Sequence, residues 1–237
     1  MVLFSASSLP GTPVHRPVRS YVLRQGRITP AQERAIRDHW HRYGIDYQPA
    51  ALDLQQVFGR PAPKILEIGT GTGENIIAMA ARHRDNDYLA LEVHRPGVGR
   101  LIHQAVAQNL SNIRIICHDA VEVLAHQIGD KTLERILIFF PDPWPKKRHH
   151  KRRLLQPDFV VLLRRKLEHH GRLFLATDWQ DLAGHMLQTC DSDSGLINLA
   201  GRGNYSPRPK WRPLTKFELR GQNLQHRVWD LAYAVNG

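Results

Sequence analysis

From residue 61 onward the chain alternates short apolar runs with segments whose apolar residues recur at helical spacing. The runs are Lys64 to Ile68, Asp87 to Glu92, Ile113 to Cys117, Arg135 to Phe140 and Gly171 to Thr177. Their apolar residues do not alternate with polar ones, which marks strands buried on both faces. Between them the pattern predicts helices from Glu74, through Leu101, over Val121 to Leu124 and over about Pro157 to Glu168. Strands alternating with helices predict an α/β, doubly wound fold: a mostly parallel sheet with helices on both faces. The segment Arg227 to Val235 has strand alternation and is expected to add a last, antiparallel strand. Upstream, Thr29-Pro30-Ala31-Gln32 offers an N-cap, a proline at the first helical position and a capping-box glutamine, so a helix should start there and end near Tyr43-Gly44. Three regions result: a mobile tail over residues 1–18, an arm and helix over 19–60, and the α/β domain over 61–237.

Composition narrows the partners more than the fold. Of 237 residues 42% are hydrophobic, enough for one domain with its own core. The formal charge of +11 favours nucleic acid or another anionic surface. No apolar run approaches the ~20 residues that span a bilayer, and Met1 to Phe4 is too short for a signal-peptide core, so a cytoplasmic protein is expected. Cys117 and Cys190 sit in no C-x-x-C spacing, and none of the 14 histidines falls into a ligand spacing beside an acid. Neither a disulfide framework nor a metal site is expected. Monomer and homodimer both remain open.

Chemistry concentrates at the ends of the predicted strands. Gly69, Gly71 and Gly73 follow the first strand, where glycines let the backbone turn and approach a ligand. The spacing is G-x-G-x-G rather than the dinucleotide G-x-G-x-x-G, and Glu67 precedes it. A pyrophosphate is repelled by that carboxylate, which argues against a nicotinamide oxidoreductase. An α-ammonium group is attracted, and S-adenosyl-L-methionine carries one together with a carboxylate suited to a helix N-terminus. Glu92, ending the second strand, stands where an acid accepts ribose hydroxyls, and Asp119, after the third, where one accepts from the adenine amino group. Each acid alone also reads as a helix cap or a solvated loop residue.

After the run Arg135 to Phe140 comes P-D-P-W-P-K-K at 141–147, continued by Arg148, two histidines, Lys151, Arg152 and Arg153. The prolines fix φ and remove N–H donors, so Asp142 rides a stiff loop beside a block of positive charge. Lys147, Arg148, Lys151, Arg152 and Arg153 are expected to face phosphates, against the plainer reading of a solvated helix start. Trp144 either stacks on a base or anchors its own loop.

With these residues in view, the chain resembles the bacterial tRNA (guanine-N7-)-methyltransferases, of the Rossmann-like class I S-adenosylmethionine-dependent fold. The likeness runs from about Arg19 to Val235. It rests on the stretch Arg19 to Arg27, the glycine loop, P-D-P-W-P-K-K, Thr177-Asp178, and T-K-F-E-L-R-G at 215–221. The P-D-P-W-P-K-K and T-K-F-E-L-R-G strings are specific to that family, whereas the glycine loop is shared by many methyltransferases. The resemblance implies cofactor contacts at Glu67, Glu92, Asp119 and Asp142. It implies substrate contacts at Lys146, Asp178, Thr215, Lys216, Phe217 and Glu218, with a variable-loop guanine of tRNA as target. Asp142 is the expected catalytic residue, between cofactor and base. Glu74-Asn75 departs from the apolar helix start expected after the glycines, and residues 1–18 match nothing. The arm touches RNA or folds onto the core. Two other readings stay open: methylation of an exocyclic amine in RNA or DNA, because Asp142-Pro143-Trp144 is similar to a D-P-P-Y/W loop without its doubled proline, and a basic RNA-binding protein without catalysis.

Overall fold

A computed structural model of the chain describes residues 20–21, 26–224 and 226–236. The expected mobile tail over 1–18 and most of the arm behind it lie outside those residues. The elements in chain order are α1 (Pro30–Tyr43), β1 (Gly44–Ile45), α2 (Leu54–Phe58), β2 (Lys64–Ile68), α3 (Glu74–Arg82), β3 (Asp87–Leu91), α4 (Arg95–Ala107), β4 (Ile113–Ile116) and α5 (Ala120–His126). There follow β5 (Leu133–Phe139), a 3-10 helix (Lys147–Arg152), α6 (Pro157–Lys166), β6 (Leu167–Thr177), α7 (Gln180–Asp191), β7 (Leu196–Asn198), α8 (Lys216–Asn223) and β8 (Trp229–Val235).

The strands form one sheet in the order β1-β4-β3-β2-β5-β6-β8-β7. All neighbours are parallel except that β8 runs antiparallel to both β6 and β7. The chain winds outward from β2 through β3 to β4 and then crosses back to place β5 on the other side of β2. The carboxyl ends of β2, β3 and β5 therefore border the crevice at which the strand order reverses, where open α/β sheets take their ligands.

Alternation along the strands divides the core between the two faces. Leu66 and Ile68 of β2 pack into a cluster with Leu89, Ile136 and Leu163, whereas Ile65 packs into a second with Ile76, Leu101 and Leu137. The capping box of α1 is present: Gln32 N–H donates to Thr29 Oγ1 at 3.3 Å, and Thr29 N–H to Gln32 Oε1 at 2.8 Å.

The structure adds elements that periodicity did not announce. β1 and β7 hold two and three residues, too few for a pattern. α7 starts at Trp179 without a side-chain cap and buries Leu182, Ala183, Met186 and Cys190 among polar neighbours. The predicted helix to Glu168 stops at Lys166: Leu167 is extended, pairs with Leu133, and a register shift accommodates the residues before Arg172.

At the opposite, amino-terminal edge, Asp87 of β3 is buried between two cations. Lys64 Nζ of β2 lies 3.0 Å from Asp87 Oδ2, and Arg60 Nη2 2.7 Å from Oδ1. Removing one partner of a buried pair leaves the other uncompensated. Asp87→Ala is therefore expected to cost about 3 kcal/mol in urea-induced unfolding, and a loss below about 1 kcal/mol would mean the Lys64 ammonium is satisfied by its carbonyl partners alone.

Candidate functional site

The carboxyl ends of β2, β3, β4 and β5 surround a cavity of about 440 Å³. Its floor is the glycine loop. Gly69, Gly71 and Gly73 have φ of 75°, 55° and 79°, values that L side chains rarely adopt. Gly97 in α4 serves a different need: a Cβ there would stand 2.3 Å from the Gly71 carbonyl oxygen. Its missing side chain lets α4 lie directly on the loop.

Two buried carboxyls frame this floor. Glu92, at the end of β3, accepts from Gly71 N–H at 2.6 Å and His94 N–H at 2.9 Å, tying the second strand end to the glycine loop while lining the cavity. Burial raises its pKa above the usual carboxylate range, and the backbone donors oppose that shift. Glu67 lies in β2 just behind the lining residues Ile68 and Gly69, only 4% exposed. Among the described residues one donor meets it, Asn75 Nδ2 at 2.9 Å. Burial pushes its pKa up to about 8, and the nearby Glu92 adds to the shift. The polar start of α3 thus has a physical role in holding an acid that has no cationic partner among the described residues. Among the described residues Asn75 Oδ1 and Thr70 Oγ1 are buried without a hydrogen-bond partner. An acid without a counter-ion and unsatisfied oxygens behind a glycine floor fit a cationic, hydrogen-bonding group such as the ammonium end of S-adenosylmethionine.

Asp119 is placed differently from its neighbours. It caps α5, accepting from Val121 N–H at 2.9 Å, and the preceding His118 lines the cavity. The His118 ring stacks on Tyr47 with centroids 3.7 Å apart, and its Nε2 contacts Glu122. Sequence reasoning overlooked His118, although it shares the strand end that drew attention to Asp119.

Asp142 stands exposed at the cavity rim, on a loop held at several points. Phe140 and Trp144 on either side of it have φ of 52° and 46°, a left-handed conformation that bulky residues adopt only under constraint. The constraint is visible. Trp144 Nε1 donates to the Ser20 carbonyl at 2.9 Å, and the Arg152 guanidinium covers its ring at 5.0 Å. Arg153 Nε donates to the Pro143 carbonyl at 3.1 Å. Trp144 is thus an anchor of its own loop, and Arg152 is partly engaged by it.

Arg153 corrects an expectation. Rather than facing phosphate, it is 2% exposed and pairs with Asp181 of α7, because the loop's carbonyl and this carboxylate together satisfy a guanidinium inside the fold. Lys146, Lys147, Arg148 and Lys151 remain exposed on the 3-10 helix and its approach.

Of the segment at 215–218, Thr215 Oγ1 accepts from Glu218 N–H at 3.3 Å as the cap of α8. Lys216 N–H donates to Glu74 Oε2 at 2.9 Å, and exposed Phe217 packs on Phe140 at 5.0 Å. Glu218 is a second correction: it is 1% exposed, receives Arg212 in two bonds of 2.8 and 3.0 Å, and pairs with Arg208 at 3.1 Å. Its carboxylate fixes α8 instead of reaching outward. Asp178 falls outside the cavity, in a neighbouring groove, with its Oδ2 3.7 Å from His226 Nδ1. The structure therefore brings Glu67, Glu92 and Asp142 to one place and sets Asp178 beside it. Among the described residues no three His, Cys, Asp or Glu side chains cluster as metal ligands, and no helix is long and apolar enough to cross a membrane.

Comparison with known proteins bears on these features. A methyltransferase family model matches residues 61–231. A tRNA (guanine-N(7)-)-methyltransferase of Alcanivorax borkumensis is 50% identical over 220 residues, 93% of this chain and 92% of that protein. One of Xanthomonas campestris pv. campestris is 54% identical over 92% of this chain and 84% of its own length, and one of Photorhabdus laumondii is 48% identical over 92% and 91%. Among solved structures, the 16S rRNA methyltransferase KamB superposes with a TM-score of 0.57 at 13% identity, covering 78% of this chain and 93% of that one. That last likeness concerns the fold alone.

The Glu67 carboxyl carries a pH signature. Its folded pKa of about 8 lies above the ordinary 4.5, so the unfolded chain ionises first as pH rises. Its contribution is fully present below pH 4.5 and is lost as pH climbs through about 8, by at most ~1.4 kcal/mol per pH unit. Glu67→Gln cannot ionise and lacks that slope. Urea titrations of both proteins between pH 5 and 8 should therefore diverge in favour of the variant, whereas parallel profiles would show that Glu67 ionises freely in the fold.

Proposed function

The chain belongs to the bacterial tRNA (guanine-N7-)-methyltransferase family, and we propose that it methylates N7 of a guanine in the variable loop of tRNA at the rim where Asp142 meets the glycine-floored cavity. The observation that carries this reading is the position of Asp142: exposed, on a loop pinned through Trp144 and Arg153, at the mouth of a cavity whose floor and back are Gly71, Glu92 and Glu67. The enzyme acts in the cytoplasm, where it meets its tRNA.

Glu67 and the glycine loop hold the amino-acid end of S-adenosylmethionine, Glu92 the ribose, and the His118–Asp119 strand end the adenine. When bound, the cofactor supplies a methyl group on a sulfonium, which leaves with its carbon bonded to guanine N7 while the S–C electron pair returns to sulfur. Guanine N7 keeps an in-plane lone pair in the neutral base, so no residue has to remove a proton first. Alignment is what the protein provides, and orientation of this kind contributes up to ~7–11 kcal/mol in well-placed reactions. A carboxylate suits the base twice: it accepts from the N1–H and N2–H₂ edge, leaving N7 uncovered, and it opposes the positive charge that develops on the ring. A guanidinium or ammonium on N7 would cover the nucleophile itself. Asp142 takes this role at the cavity. Asp178 holds the substrate from the adjoining groove, with Lys146, Thr215, Lys216 and Phe217 as its further contacts. Lys147, Arg148 and Lys151 meet the phosphates.

Incubation with methyl-labelled S-adenosylmethionine and unmodified tRNA, followed by borohydride reduction and aniline cleavage, tests the reading. Cleavage at one variable-loop guanine is the expected result. Label without cleavage would move the product to an exocyclic amine. Asp142→Asn should lower kcat at least ~100-fold, the scale of one lost electrostatic contact in a transition state. Near-normal turnover by that folded variant would remove Asp142 from the mechanism.

A further inference from the structure

Of the five tryptophans, four are engaged through their rings. Trp40 Nε1 donates to Asp46 at 2.9 Å, Trp144 Nε1 to Ser20, Trp211 stands edge-on to Phe174 at 4.8 Å, and the Arg227 guanidinium covers Trp229 at 5.5 Å. Trp179 differs. It is 43% exposed, and among the described residues its indole has no hydrogen-bond, aromatic or cationic partner. Its backbone is nevertheless fixed: the N–H donates to Thr177 Oγ1 at 3.2 Å, and the carbonyl accepts from Ala183 N–H at 2.9 Å at the start of α7. The partly exposed indole thus stands on a fixed backbone at the edge of open space.

That space is the groove containing Asp178, about 1270 Å³ in volume, with Trp179, Trp229, Tyr205, His226 and Arg227 among its walls. Its acids have basic neighbours. Asp181 pairs with buried Arg153 and lies 3.7 Å from His150, and Asp178 faces His226. Arg227 is left exposed on one wall. On another, His150 joins the groove to the 3-10 helix with its exposed Lys147, Arg148 and Lys151. Aromatic faces beside a track of positive charge are what unpaired nucleotides bind, bases on the rings and phosphates on the cations.

We infer that this groove receives the nucleotides flanking the methylated guanine, unstacked from the tRNA, with the Trp179 indole as the platform for one of their bases. The inference rests on the tRNA-methylation reading for the identity of the RNA. It transfers to Trp179 the stacking role that the sequence had offered to Trp144, whose ring is already held. Geometry agrees: Asp178 precedes Trp179 on the same turn, and α8 touches both places, Phe217 packing on Phe140 beside Asp142 and Gly221 lying where a Cβ would stand 3.9 Å from Asp178 Oδ2. Residues 217 and 221 are one helical turn apart, so the Asp142 rim and the groove are close enough for adjacent nucleotides.

The test compares Trp179→Ala and Trp179→Phe with the parent protein, using an unmodified tRNA transcript, in turnover and in equilibrium binding. Loss of one stacked base at ~1–3 kcal/mol predicts that Trp179→Ala raises KM and Kd for the transcript about 5- to 150-fold. The kcat at saturating transcript and the Kd for S-adenosylhomocysteine should stay within about twofold, and Trp179→Phe should recover most of the loss. Unchanged transcript affinity in Trp179→Ala would overturn the inference. So would a parallel loss of cofactor affinity, which would expose a merely structural role. Failure of the parent protein to form N7-methylguanine would strike the functional reading instead, since transcript binding still tests the groove.

Discussion

Everything at the carboxyl edge of this sheet depends on a buried acid that the described residues leave without a cation. Every residue of β2 is buried, and Glu67 stands in it with, among the described residues, only the Asn75 amide to meet its charge. An isolated carboxylate in such surroundings is costly, so the free protein keeps it largely protonated near neutral pH. The surrounding architecture follows from keeping that site open. Glycines take the left-handed turns that let the loop pass over it, Gly97 lets α4 press on the loop, and Glu92 binds the loop's amide to β3. A ligand that brings its own positive charge completes the site.

The chain's excess of positive charge is divided between two uses. Arg153 and Arg212 lie inside the fold, where each guanidinium gathers acceptors from separate segments. Arg153 joins the Asp142 loop to α7, and Arg212 joins α8 to β8 through Glu218 and Asp230. These buried clamps set the positions of the loop and helix that flank the reaction site. The exposed cations of the 3-10 helix, Lys147, Arg148 and Lys151, are the ones proposed to meet the tRNA phosphates. Since an internal and an external arginine look alike in a charge run, their roles separate only once burial is known.

The sheet was readable because its central strands are mostly apolar runs and the intervening helices periodic, and the capping box at Thr29 marked the start of α1 to the residue. The order reversal about β2 turned strand ends into a site, so Glu67, Glu92 and Asp142 converge as the pattern of acids after strands implied. Asp119 was legible both as an acid at the third strand end and as a helix cap, and only the structure shows that it caps α5. Glu218 and Arg153 went astray for one reason: sequence places charges along the chain but does not show which opposite charge, 6 or 28 residues away, will neutralise them. Short β1 and β7 and the uncapped α7 carry too little pattern, and Trp179 gave no signal until its exposure beside Asp178 was visible.

The claim on which the account turns is that Glu67 waits, protonated, for the cofactor's ammonium group. Calorimetric titration with S-adenosylhomocysteine at pH 7, in two buffers of different ionisation enthalpy, measures it directly. The account predicts release of nearly one proton per site by the parent protein and none by Glu67→Gln. Binding without proton release, or equal release by both proteins, would contradict it.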